Sequence, residues 1–192
     1  MKITGIILAG GKSSRMGKDK SLLEIENKSL TEIIYNKLKN VCSEIIISSN
    51  IEENKIPGTV HIHDTYKDIG PIGGIYSSLK KSSNEKNIIV SCDMPFISEE
   101  FIAYLIEKSA NYNVCISEFN KKLFPFPGIY NKKILNLLKT EIKLKHYKLI
   151  SLIQKTNFLT VKHNEIQNLI TKNTFYNINT TENYKKALKE WK

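Results

Sequence analysis

Leu8 to Lys20 reads LAGGKSSRMGKDK, with glycines at 10, 11 and 17, lysines at 12, 18 and 20, and at 15 the only arginine of the 192-residue chain. Gly10 and Gly11 let backbone come close to a ligand. Arg15 offers a planar fork for phosphate oxygens and Lys20 a mobile point charge. A basic surface turn would have the same composition, so the loop alone leaves both readings open. It is not a Walker loop, because Asp19 follows Gly17-Lys18 and Lys12 stands five residues before Gly17. It is not the Gly-x-Gly-x-x-Gly fingerprint either, because Gly10 and Gly11 are adjacent. A second constellation is SCDMPFIS, where Asp93 directly follows an apolar run and is placed to hold a hard cation such as Mg²⁺. Asp before x-Pro also simply opens turns; the neighbouring phosphate-type loop favours the metal reading. DIGPIGG, Asp68 to Gly74, supplies glycines and backbone donors at a helix entry. His61 and His63 share one face at period two, as a metal pair or as two solvent-facing side chains on a sheet edge. No serine or cysteine nucleophile with plausible partners stands out, which suits chemistry done by positioned charge.

These residues need a scaffold, and the hydrophobic pattern supplies one. ITGIILA, EIIISSN, TVHIHD and NIIVSCD read as short buried strands. SLTEIIYNKLKNV reads as a helix opened by a capping box, Ser29 with Glu32. GPIGGIYSSLKKS enters another, and SEEFIAYLIEKSA a third, with Ser98 as its cap and Phe101, Ile102, Leu105 and Ile106 on its apolar face. The alternation predicts a three-layer, Rossmann-like α/β fold around a mostly parallel sheet. Such sheets bind ligands at the carboxyl ends of their strands, where Gly10, Gly11, Asp64 and Asp93 fall. After the strand VCISE, the segment NKKLFPFPGIY is expected to be a turn and an extended stretch barred from a central position by Pro125 and Pro127. Helices near NKKILNLLKTEI and YKLISLIQK, a strand FLTV, the segment FYNINT and a closing helix TENYKKALKEW complete the chain. One domain spanning 1–192 is expected.

The net charge of +10 comes from lysines spread over the helices and interleaved with acidic residues. A solvated surface fits that pattern, and no aromatic stacking platform or basic stripe suggests nucleic-acid binding. No apolar run reaches the length of a membrane span, and the start lacks the features of a signal peptide. Three widely spaced cysteines, Cys42, Cys92 and Cys115, suit a reducing cytoplasm rather than a disulfide framework or a zinc site.

The loop LAGGKSSRMGKDK resembles the signature of nucleotidyltransferases that make activated sugars, alcohols and cofactors. Together with GPIGG, CDMPF and the late NINT, the chain is similar to the molybdenum cofactor guanylyltransferases, from Ile3 to about Leu188. The resemblance implies transfer of GMP from MgGTP to the terminal phosphate of molybdopterin or its molybdenum-bound form, with release of pyrophosphate. It implies that Leu8, Ala9, Gly10 and Gly11 cradle the nucleotide, that Asp64 contacts it, and that Arg15 and Lys20 meet its phosphates. It also implies that Asp93 contacts the nucleotide as a Mg²⁺ ligand, and that Asn177 and Asn179 serve the pterin side and the metal. Proteins that deliver the pterin or receive the product are implied as partners. Some members carry an asparagine near the base where this chain has Ser48, with Asn50 close by, and the stretch from Asn120 to Lys155 matches weakly. Two other readings stand beside it: a transferase using CTP on the pterin or acting on another phosphorylated acceptor, and a non-catalytic nucleotide-binding module.

Overall fold

The computed structural model describes residues 2–10 and 20–191. Nine strands and seven helices occur among them. In chain order they are β1 (Ile3–Leu8), β2 (Glu24–Ile25), β3 (Lys28–Ser29), α1 (Leu30–Leu38), β4 (Glu44–Ser48), β5 (Val60–Ile62), α2 (Pro71–Lys81) and β6 (Lys86–Ser91). There follow α3 (Glu99–Lys108), β7 (Val114–Phe119), β8 (Lys122–Asn131), α4 (Leu135–Lys143), α5 (Leu149–Ile153), β9 (Phe158–Val161), α6 (His163–Ile166) and α7 (Thr181–Glu190). Seven strands form one sheet in the order β5-β4-β1-β6-β8-β7-β9, and β8 alone runs against the others.

β1 explains the layering. All six of its residues are buried, because both faces of the sheet are covered. Ile3 and Ile7 point into one apolar layer with Ile34 and Leu38 of α1 and Phe101 and Leu105 of α3. Ile6 and Leu8 point into the other, with Ile72, Ile75 and Leu79 of α2 and Leu138 of α4. A third, smaller cluster joins Ile25, Leu30 and Ile33 to Ile178 and Ala187, with Phe96 and Trp191 against it. The helix starts follow their caps. Ser29 accepts from the Glu32 N–H at 3.2 Å while the Glu32 carboxylate accepts from the Ser29 N–H at 2.7 Å, and Ser98 accepts from the Phe101 N–H.

The expectation that Pro125 and Pro127 bar their segment from the sheet interior is wrong. β8 lies between β6 and β7. The prolines fit because neither sits where a ladder donor is needed. Pairing to β6 runs only from Gly128 to Asn131. Pairing to β7 breaks between Cys115, opposite Ile129, and Ser117, opposite Phe124, so residues 125–128 bulge out of register. Cys115 is buried and Cys42 partly so, both as free thiols. Among the described residues, no helix is long and apolar enough to cross a membrane.

Candidate nucleotide site

The carboxyl ends of β1, β4, β5 and β6 converge on one edge of the sheet. β1 ends at Leu8, and the chain leaves through Ala9 and Gly10. Ala9 is committed to the fold: its methyl is buried in the core and its N–H donates to the Ser48 carbonyl at 2.9 Å. Gly10 is exposed at the mouth. Gly11 and Arg15, both assigned to this loop from the sequence, lie outside the described residues.

Beside this exit is a cleft of about 590 Å³, a size that suits a nucleotide-sized ligand. Leu8, Gly10, Ser48 and Asp64 line it, and Gly70 and Pro71 at the start of α2 close one wall. Asp64 is fixed by a 2.6 Å hydrogen bond from the Ser48 hydroxyl. That bond leaves the second carboxylate oxygen available to other donors. α2 can approach this closely because of its paired glycines. A Cβ on Gly74 would lie 3.1 Å from the Leu8 side chain, 3.1 Å from Ser48 Oγ and 3.3 Å from Asp64 Oδ1. A Cβ on Gly73 would lie only 2.4 Å from the Tyr66 carbonyl oxygen. The motif GPIGG is therefore a packing requirement as well as a helix entry, with Pro71 in the first turn, where its missing N–H costs nothing.

Next to the cleft, at the end of β6, a second group assembles from three distant parts of the chain. Asp93 is 6% exposed, and its Oδ2 pairs with the Lys20 ammonium. Lys20 Nζ also donates to Asn179 Oδ1 at 3.3 Å. The Asp93 carbonyl in turn accepts from the Ile178 N–H at 2.9 Å, which fastens the NINT segment to the strand end. Asn179 is held from the other side, its N–H donating to Asn183 Oδ1 of α7. Asn177 is half-buried on the same segment. The structure thus gathers Leu8, Gly10 and Asp64 around the cleft, and Lys20, Asp93 and Asn179 in the adjoining group. Lys67 and Phe126 also line the cleft and were not anticipated. Phe126 had a signal in hindsight, an aromatic between two prolines at a break in pairing. Lys67 stands immediately before the DIGPIGG run.

This sheet, with an exposed glycine at the first strand end, an aspartate after the third strand of the parallel set and a Lys–Asp–Asn group beside them, defines an α/β nucleotidyltransferase. Residues 5–159 match the family model described as "MobA-like NTP transferase domain". The chain belongs to that family and is a nucleotidyltransferase enzyme, which sets aside the non-catalytic reading. It is 35% identical over 194 residues to a Clostridium perfringens protein named "Probable molybdenum cofactor guanylyltransferase", covering 99% of this chain and 98% of that one. A protein of the same name from Pelotomaculum thermopropionicum is 32% identical, covering 97% of this chain and 92% of the other. Among solved structures, molybdopterin-guanine dinucleotide biosynthesis protein A from Archaeoglobus fulgidus shares the fold with a TM-score of 0.83 over 97% of each chain, at 20% identity.

Proposed function

We propose that the protein transfers GMP from MgGTP to the terminal phosphate of molybdopterin, or of its molybdenum-bound form, giving the guanine dinucleotide cofactor and pyrophosphate. The observation that carries this reading is the adjacency of the cleft at Gly10 and Asp64 to the Lys20–Asp93–Asn179 group. The names of the relatives, at 35% and 32% identity over nearly the whole chain, point to the same nucleotide and acceptor.

The residues take the following roles. Leu8, Ala9, Gly10 and Gly11 cradle the base and sugar. Because the Ala9 N–H and methyl are already engaged, the close backbone approach falls to Gly10. Asp64, oriented by Ser48, accepts from the nucleotide's donors. Arg15 and Lys20 meet the charge of the phosphates. Asp93 would hold the metal, and its donor chemistry suits Mg²⁺: a hard carboxylate oxygen, with the Asn179 amide oxygen close by. Mg²⁺, when bound with the nucleotide, neutralises charge on the phosphates. Asn177 and Asn179 face the acceptor, so the N-terminal part serves the nucleotide and the C-terminal part the pterin, within one domain.

The attacking phosphate of the acceptor is already ionised near neutrality, so no general base is needed. The barrier lies in charge building on the α-phosphoryl group and on the leaving pyrophosphate. Lys20 is prepositioned to meet that charge, since Asp93 and Asn179 already orient its ammonium.

Thermal unfolding with each of the four nucleoside triphosphates, with and without Mg²⁺, tests the reading. A ligand at 100 times its dissociation constant stabilises the folded state by about 2.7 kcal/mol. GTP is expected to stabilise selectively, and GTP with Mg²⁺ and molybdopterin to release pyrophosphate. Preference for CTP would transfer the assignment to a cytidylyltransferase. Pyrophosphate release with a different phosphorylated acceptor only would overturn the pterin assignment.

A further inference from the structure

Outside the cleft, at the edge of the sheet, His61 of β5, His63 just past its end and Glu52 form the one cluster of three potential metal ligands among the described residues. Val60 and Ile62 of β5 pack into the apolar layer with α2. Strand alternation therefore turns His61 and His63 to the opposite face, away from Asp64 and the cleft. Glu52 reaches them from the short 3₁₀ turn Glu52–Asn54.

We propose that Glu52, His61 and His63 bind a divalent transition metal of the zinc, cobalt or nickel class, fastening the Glu52 turn to the edge strand. The ligand atoms, one from each residue, all lie within 4.8 Å of one another. Donors in a tetrahedral zinc site lie about 3.4 Å apart, so the widest pair must close by at most about 1.4 Å. Two of the three side chains can move that far: those of His63 and Glu52 are 57% and 61% exposed, and His63 Nε2 already stands 3.7 Å from Glu52 Oε1. The third is held. His61 is half-buried, and its Nε2 is shut off from solvent without any hydrogen-bond partner. A buried polar atom in that state calls for a partner. The two imidazoles meet edge to face with centroids 5.4 Å apart. Two imidazoles and one carboxylate favour borderline metals over Mg²⁺ or Ca²⁺. Lys55 opposes the metal, because its ammonium pairs with Glu52 Oε2.

The test is calorimetric titration of the tag-free full chain with Zn²⁺ alone, in buffer containing millimolar Mg²⁺ to occupy hard-oxygen sites, with Co²⁺ absorption as the second readout. One equivalent of Zn²⁺ is expected to bind, and Co²⁺ to give d–d bands of tetrahedral nitrogen and oxygen ligation without a thiolate charge-transfer band. His63→Ala, at an exposed position that leaves the fold intact, is expected to weaken binding at least tenfold. Lys55→Ala is expected to tighten it, and Cys42→Ser to leave it unchanged. Absence of binding, binding insensitive to His63→Ala, or binding lost with Cys42→Ser would overturn the proposal.

Discussion

Replacing Lys20 by methionine removes the ammonium facing Asp93 and keeps most of the stem. The Lys20 and Asp93 side chains are 20% and 9% exposed, so this pair stands between the surface and the interior. Breaking a fully buried pair costs about 3–5 kcal/mol, because a charge stays behind in a poor solvent, whereas an exposed pair contributes about 0–1. For Lys20→Met we therefore expect a loss of about 2 kcal/mol. Asp93→Asn should cost about 1 kcal/mol, since the ammonium left behind has more access to water. The double variant has neither charge to strand, so it should lose less than the sum, with a coupling of about 1–2 kcal/mol. Urea unfolding reads this directly. With a slope of about 2 kcal/mol/M, Lys20→Met shifts the midpoint by roughly 1 M. Adding Mg²⁺ should restore part of that stability, because a cation at Asp93 replaces the missing ammonium. All three variants should lose nucleotidyl transfer. Strictly additive destabilisation would refute the pairing as an energetic unit, and a double variant with full transferase activity would refute the roles assigned to both residues.

Gly73→Ala should destabilise by about 1–2 kcal/mol: its Cβ would press on the Tyr66 carbonyl at 2.4 Å, and the gain in helix propensity offsets only part of that strain. Because the displaced loop leads to Lys67 and Asp68 of the cleft wall, nucleotide affinity measured by calorimetry should fall as well. Glu44 lies at the opposite end of the strands. Burial raises its pKa, but hydrogen bonds from Thr4 and Ser83 and the charge of Lys132 outweigh that, and the net shift is downward. A depressed carboxylate pKa gives stability that is present above the unfolded value and lost as pH falls through the folded one. Glu44→Gln should therefore flatten the acid limb of the stability profile while leaving nucleotide binding unchanged.

The fold was legible where local pattern and global position agree. β1, β4 and β6 are rich in β-branched residues because both sheet faces bury them, and α1 and α3 begin at the caps their sequences display. β8 was misread because a local rule about proline was applied without the partner strands. Only the pairing shows that Pro125 and Pro127 fall in the out-of-register stretch, and pairing is a long-range property. The β2–β3 hairpin and α6 are too short to give a periodic signal. At the site, Asp64 and Asp93 could be placed from strand ends alone. The union of Lys20, Asp93 and Asn179, residues separated by 73 and 159 positions in the two Lys20 contacts, left no mark on any local stretch. Resemblance to a family pointed to these residues, and geometry joined them. Phe126 was hidden by the misreading of its own strand.

The hydrogen bond from Ile178 to the carbonyl of Asp93 bears on how the enzyme comes into being. During synthesis, β1, β4, β5 and β6 all leave the ribosome long before the NINT segment. Every residue that lines the cleft is therefore synthesised while Asp93 still lacks the backbone anchor at Ile178, and Lys20 the amide of Asn179. Emergence of α7, which holds Asn179 through Asn183, completes the group. On the proposed roles of these residues, nucleotide capture would precede the ability to react, and the chain would pass through an interval of biogenesis in which it holds its donor substrate without consuming it.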